Sequence, residues 1–274
     1  MKWQYVDYIE YRNNLRKKAS YKKQLEFWEN EYAFYRENYD TVNETKRINT
    51  YNSRKIEIDC TKELTEELIA SAARNKCSLF VMILAAFRIF IHNYTEKRTL
   101  VVGLPFSGRT NPCTENLIGM FVNVLRYTSV IDPEQSIEEL ISETNEKVIR
   151  MIDNQEIFVD ELKEFDFNYD VLLVHQNYYN PELKFDNIKI IQRNGNEGYS
   201  GTGAVIQTLI RNGILRCELE YNTGLFDEED AWGFLNEFMT VLNEINCDKL
   251  SVGEIYSNSQ ENVQEIALPD FSFE

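Results

Sequence analysis

Five stretches of the chain space their apolar residues at helical intervals. Tyr21 to Tyr35 follows Ser20 as N-cap and brings Leu25, Trp28 and Tyr32 to one side. Thr61 opens a helix running through Ala73, with Leu64, Leu68 and Ile69 on one face, and Ser78 opens the next, Leu79 to Tyr94. That third helix is apolar around most of its girth, the pattern of a helix packed inside a layered fold. Pro133 and Ser136 start a fourth that reaches Ile152; its Glu138, Glu139, Glu143 and Glu146 read as a solvated face. The last, Asp227 to Ile245, begins with an acidic turn suited to the positive end of the helix dipole. Residues 4–19 mix aromatic and charged side chains and are assigned no element.

Between the helices the pattern changes to strands. Arg54–Asp59 alternates, and Thr99–Leu104 opens as a buried strand. That strand is expected to break at Gly103 and Pro105 into a small flexible corner carrying Ser107 and Arg109. After a turn at Gly119, Phe121–Val130 reads as a strand, followed by Val171–Asn177 and Ile188–Arg193. A hairpin of Ala204–Arg211 and Leu215–Tyr221 is turned by Asn212-Gly213. Asp40–Ser53 is turn-rich and reads as a loop. The glycine-rich run at 195–203 has no following Lys-Ser/Thr and leads into a strand, so it reads as a mobile flap or bulge and not as a phosphate loop. From Cys247 the chain turns polar, which sets an expected domain at 1–246 and a linker or tail at 247–274. This order of elements predicts an α/β (α+β) two-layer sandwich with one mixed sheet and helices mainly on one face. It is not the regular alternation of a doubly wound nucleotide fold.

Composition narrows the function classes. The 274 residues are 43% hydrophobic with a net charge of −16. That charge argues against nucleic acid or an anionic membrane as partner, since both require a basic face. The N-terminus has no signal-peptide pattern and the longest apolar run, Leu79–Ile91, is interrupted by Arg88, so a cytoplasmic protein is expected. Five scattered cysteines without C-x-x-C spacing read as reduced thiols, and no metal site is expected. The two histidines, His92 and His175, stand near no nucleophile motif. Residue chemistry alone therefore yields no self-sufficient catalytic site.

Several collinear segments resemble the second half of a condensation domain from a nonribosomal peptide synthetase. They are YVDYIEYRN (5–13), SLFVMILAAFRIFIHNYT (78–95), VVGLPFSGR (101–109), IGMFVNVL (118–125), NQEIFVDEL (154–162), VLLVHQN (171–177) and LEYNTGLFDEE (219–229). The most specific is IGMFVNVL, close to the family's Ile-Gly-x-Phe-Val-Asn-x-Leu. The resemblance implies one lobe of a chloramphenicol-acetyltransferase-like pair, with a tunnel between the lobes where two carrier proteins present thioesters on phosphopantetheine arms. It implies a tunnel-wall role for Asn123, Ser107 and Arg109 and no directly bound cofactor. It also implies carrier domains as partners, together with a first lobe or self-association through an exposed lobe face. The family's His-His-x-x-x-Asp-Gly segment, whose second histidine handles the acceptor amine, has no counterpart in these residues, so the lobe alone is expected to be inactive. Three departures from the pattern stand out. Phe158, Val159 and Asp160 replace the Pro-Phe-Glu of one motif, EFDFNYD (164–170) replaces an Arg-Asp-x-Ser-Arg segment, and the arginine after the Val-Asn motif is displaced to Arg126. Two alternatives remain: a non-catalytic carrier-binding or scaffold module, and a stand-alone acyltransferase using His175 as base.

Overall fold

The computed structural model describes residues 3–38, 50–157, 161, 169, 171–176, 198, 200–246 and 251–255. In chain order its elements are α1 (Tyr5–Leu15), α2 (Ala19–Asn38), β1 (Ser53–Asp59), α3 (Lys62–Arg74), α4 (Leu79–Thr95), β2 (Thr99–Phe106), β3 (Asn123–Val130), α5 (Ile137–Asp153), β4 (Val171–Gln176), β5 (Ala204–Arg211), β6 (Ile214–Asn222) and α6 (Glu228–Glu244). The six strands form one mixed sheet in the order β1-β6-β5-β4-β2-β3. Strand β6 runs antiparallel to both β1 and β5, β4 lies parallel to both β5 and β2, and β3 pairs antiparallel to β2 at the edge.

Strand alternation gives the sheet one apolar face, built from Leu100, Val102, Leu104, Leu125, Tyr127, Leu173, Ile206, Leu215 and Leu219, all buried. Helix α4 lies in the helical layer against it with α3, α5 and α6 around it. Every side chain from Val81 to Ile91 is buried, which accounts for the apolar girth of that segment. Phe90 meets Phe234 edge-on at 4.7 Å and Phe238 at 5.5 Å. The opposite face is polar where β1 meets β6: Arg216 grips Asp59 at 2.6 and 2.8 Å and reaches Glu57 at 2.9 Å.

Three of the expected caps hold. Thr61 and Ser78 accept from Leu64 and Val81 N–H, and Ser136 exchanges hydrogen bonds with Glu139. The Asn212-Gly213 turn has φ of 53° and 77°, the double left-handed geometry of a tight hairpin.

Other expectations change. Residues 5–15 form a helix, α1, whose start is closed by Gln4 N–H donating to the Asp7 carboxylate at 2.7 Å. Ser20 is not an N-cap, because α2 already begins at Ala19. Ile69 is 45% exposed and does not join Leu64 and Leu68 in the core. Strand β2 does not break at Gly103 or Pro105; its ladder with β3 runs on to Phe106 opposite Asn123, and Phe121 lies just before β3. Glu143 is not simply solvated, since it accepts from the buried Arg88 at 3.1 Å. In the glycine run, Gly198 O accepts from Ser53 N–H and Ser200 N–H donates to Tyr51 O, so these residues are bonded to the strand edge. Past residue 246, Val252 and Ile255 are wholly buried, and Val252 and Gly253 N–H bond to Gln135 O and Pro133 O. The expected strand at 188–193 lies outside the described residues. No single described helix is long and apolar enough to cross a membrane.

One carboxylate opposes the fold at neutral pH. Burial on α6 pushes the Glu237 carboxyl up to about 7. A folded-state value above the unfolded one means that stability is full below about pH 4.5 and declines as pH rises to about 7. Glu237→Gln is therefore expected to stabilise the protein above pH 7 by on the order of 1 kcal/mol, after allowing for partial exposure. Thermal melts of both forms at pH 5 and pH 8 read this, with the variant showing the flatter profile.

Candidate functional site

The segment joining β2 to β3, residues 107–122, carries Ser107 and Arg109, and Asn123 follows it as the first residue of β3. Ser107 is exposed, and its hydroxyl accepts the Arg109 N–H at 3.4 Å. Gly108 between them takes φ +64° against the Phe121 carbonyl, where a Cβ would stand 1.9 Å from the oxygen, so only glycine fits. Arg109 turns back over its own loop. Its guanidinium donates to Thr114 O and to Leu117 O (3.0 Å) and covers the Phe121 ring at 4.1 Å from the centroid. This arginine shapes the loop through carbonyls and an aromatic face, with no carboxylate involved among the described residues.

Asn123, at the start of β3, is 3% exposed. Its amide nitrogen donates to Ile157 O at 2.6 Å and Gln155 O at 3.2 Å, pinning the end of α5 to the strand. The N–H groups are spent inside the protein, so Asn123 braces the loop from behind. Asn123→Ala strips the buried Ile157 carbonyl and the part-buried Gln155 carbonyl of a donor and is expected to cost about 1–3 kcal/mol, read by urea unfolding.

Helix α1 packs against the same loop. Tyr5 and Tyr8 hold the buried Phe121 at 5.3 and 4.6 Å, and the Tyr5 hydroxyl donates to Met120 O at 2.8 Å. Gly119 presses so closely on Tyr5 that a Cβ would stand 2.2 Å from its ring. The neighbouring large side chains face outward: Ile118 is 97% exposed, Met120 71% and Val122 47%. These are large apolar groups on a braced support, with nothing covering them among the described residues.

A residue not singled out in the sequence ties these parts together. Glu156 accepts from Tyr11 (3.4 Å), Gln24 Nε2 (3.1 Å) and Thr110 (3.0 Å), and its N–H donates to Gln24 Oε1 at 3.2 Å. It thus links α1, α2 and the loop. The available signal was its place in NQEIFVDEL, where a carboxylate follows Gln155 as in the motif that stretch resembles. Phe158, Val159 and Asp160, the departures from that motif, lie outside the described residues.

Both histidines are engaged elsewhere. His92 Nδ1 is 2.9 Å from Lys97 O at the end of α4. His175 Nδ1 is 2.9 Å from the Thr208 hydroxyl, its ring lies stacked at 6.3 Å from Phe80, and burial lowers its pKa.

A single mixed sheet with helices layered on it and a β2–β3 loop shaped in this way is a chloramphenicol-acetyltransferase-like fold. The chain belongs to the condensation-domain family, whose model matches residues 1–263. Among curated relatives it is 24% identical over 254 residues to bacitracin synthase 1 of Bacillus licheniformis, covering 89% of this chain and 5% of that protein. It is 26% identical over 278 residues to gramicidin S synthase 2 of Brevibacillus brevis, covering 96% of this chain and 6% of that one. The chain thus spans about a twentieth of these relatives' length. Similar solved structures include the condensation domain of the monacolin K polyketide synthase MokA (TM-score 0.78, 12% identity, 90% of this chain and 62% of that one). The first condensation domain of the calcium-dependent antibiotic synthetase is also similar (TM-score 0.73, 18% identity, 89% and 55%).

Proposed function

We propose that this chain forms the second lobe of a two-lobed condensation domain, and that the loop at 117–122 seats against the first lobe to wall a shared tunnel. The observation carrying this reading is the outward display of Ile118, Met120 and Val122 on a loop braced from behind. Large apolar side chains held in that position signal a surface that another surface covers. The match to only 55–62% of two solved condensation-domain chains supports the same reading.

In this account Ser107 and the exposed edge of Arg109 line the tunnel, and Asn123 supports the wall. The acceptor amine attacks the donor thioester carbonyl; a C–N bond forms, the C–S bond breaks, and the amine's proton ends on the departing pantetheine thiol. The base that manages the proton is a histidine of the first lobe. The 274 residues hold two separate histidines, His92 and His175, and no His-His pair, and in this account the lobe is inactive by itself.

Mixing the chain with a fragment holding the His-His-x-x-x-Asp-Gly lobe of a condensation domain tests the reading. Sedimentation velocity is expected to show a one-to-one complex, with hydrogen-exchange protection gained at residues 117–123. Failure to associate, or protection confined elsewhere, overturns it.

A further inference from the structure

Strands β1 and β6 run side by side as an antiparallel pair in which Ile58 faces Cys217 and Asp59 faces Arg216. The ladder continues one pair further, where Cys60 N–H donates to Leu215 O at 2.8 Å. Side chains alternate along a strand, so Cys60 shares the face of Ile58 and is the diagonal neighbour of Cys217. Both cysteines carry free thiols, and the Cys217 thiol donates a hydrogen bond to the Cys60 sulfur. Cys60 is 5% exposed and Cys217 not at all.

Two features distinguish Cys60 from a cysteine that only fills the core. It lies just past the end of β1, an edge strand, and directly before Thr61, the N-cap of the 13-residue α3. The positive end of that helix favours a thiolate there. The S–H of Cys217 favours it further, and the Cys60 pKa is lowered. Asp59 opposes this, but its carboxylate is held by Arg216 at 2.6 and 2.8 Å, and Glu218 beside Cys217 is paired with Lys55. A second thiol in contact with the first is the arrangement that makes oxidation reversible.

We propose that Cys60 and Cys217 are a peroxide-responsive pair: a small hydroperoxide oxidises Cys60, and Cys217 resolves it to a disulfide that staples β1 to β6. The Cys60 thiolate attacks one peroxide oxygen; the O–O bond breaks, a sulfenic acid forms, and the other oxygen leaves and is protonated. Cys217 then gives up its proton and attacks the sulfenic sulfur, so that the S–S bond forms, the S–O bond breaks and water departs. Two thiols have lost two electrons and two protons to the peroxide, and a dithiol reductant returns them. Closing the bond draws the sulfurs from hydrogen-bond contact to about 2.05 Å, a movement Cys60 can take up because β1 ends at Asp59. The staple closes α3 through β5 into one loop and thereby restricts the unfolded chain. This inference is independent of the lobe reading.

The test exposes the reduced 274-residue chain to a small excess of hydrogen peroxide, quenches with an alkylating reagent and maps tryptic peptides without reduction. Peptide 56–62 is expected linked to peptide 217–249, with fragmentation placing the bond at Cys217 and not at Cys247. The melting temperature is expected to rise by about 5 °C or more, and dithiothreitol to reverse both changes. Cys217→Ala is expected to abolish the link and the melting shift and to leave Cys60 open to labelling by dimedone as a sulfenic acid. Should that variant not fold, Cys60→Ser replaces it, with the link and the melting shift again lost. Absence of the Cys60–Cys217 link once the exposed Cys113 is oxidised overturns the proposal, as does a link from Cys60 to Cys247. An equal melting shift in parent and variant overturns it too.

Discussion

Replacing Arg88 with alanine is expected to lower the unfolding free energy by about 3–5 kcal/mol, seen as a fall in urea midpoint at unchanged slope. Arg88 is wholly buried within α4. Its guanidinium donates to the Thr144 hydroxyl at 2.7 Å, to Glu143 at 3.1 Å and to Val130 O at 3.2 Å, and it lies 5.9 Å from the Tyr127 ring centroid. One side chain thereby joins α4 to α5 and to the edge strand β3. Alanine leaves a cavity of several methylenes and takes a donor from the buried Thr144 hydroxyl and the part-buried Val130 carbonyl. Arg88→Met fills much of the space, and its half-exposed partner Glu143 can turn to water, so the loss there is expected to be less than half as large. Equal losses in both variants would show that the hydrogen bonds, and not the volume, dominate. Nearby, Lys147 is buried with its pKa lowered by desolvation and is held by Glu31 at 2.5 Å and Thr128 at 3.0 Å. The two cations form a polar seam that fixes α2 and α5 on β3, the strand that begins at the loop of the site.

The second large effect concerns association. Changing Ile118, Met120 and Val122 together to Asp is expected to leave melting within about 0.5 kcal/mol of the parent, since side chains this exposed give up little on substitution. The bond from the Tyr5 hydroxyl to Met120 O does not depend on the side chain at 120. Binding to a first lobe is expected to weaken at least roughly a hundredfold, because three carboxylates would be buried against an apolar surface without partners. Phe121→Ala supplies the contrast. It removes the buried ring under Arg109, Tyr5 and Tyr8, so it is expected to destabilise the chain itself. A triple variant that associates normally would place the lobe contact elsewhere.

Much of the fold was legible because local signals and global packing agree. Ser78 before a helix apolar on every side marked α4 as a core helix, and Asn212-Gly213 between alternating runs marked the β5–β6 hairpin. The misreadings share a cause: contacts distant in sequence outweighed local preference. Gly103 and Pro105 are strand breakers in isolation, yet the β3 ladder carries β2 past both. Residues 5–15 lack a clean amphipathic pattern because their inward side chains, Tyr8 and Tyr11, pack on a loop and on Glu156. Cys60 and Cys217 look scattered, but β1 beside β6 brings them into a buried pair in which the Cys217 thiol donates to Cys60 and lowers its pKa.

The site was legible as a place more than as a set of roles. The collinear motifs pointed to Ser107, Arg109 and Asn123, and all three lie on or beside one loop. Spacing could not show that Asn123 is turned inward or that Arg109 grips carbonyls, because both depend on where residues 114–121 and 155–157 return in space. Glu156 escaped notice for a related reason: in a chain with 45 acidic residues, one carboxylate carries little weight until Tyr11, Gln24 and Thr110 are seen around it.

The central claim is that this lobe contributes half of a reaction chamber and takes its base from the other half. A single-turnover assay measures it most directly: donor and acceptor thioesters loaded on carrier domains are mixed with the chain alone, with a His-His-bearing first lobe alone, and with both, and the amide product is followed by mass spectrometry. Product above the uncatalysed background is expected only when both lobes are present, and its loss when the second histidine of the pair becomes Ala. Amide formed by the chain alone, and abolished by His175→Ala, would contradict the account.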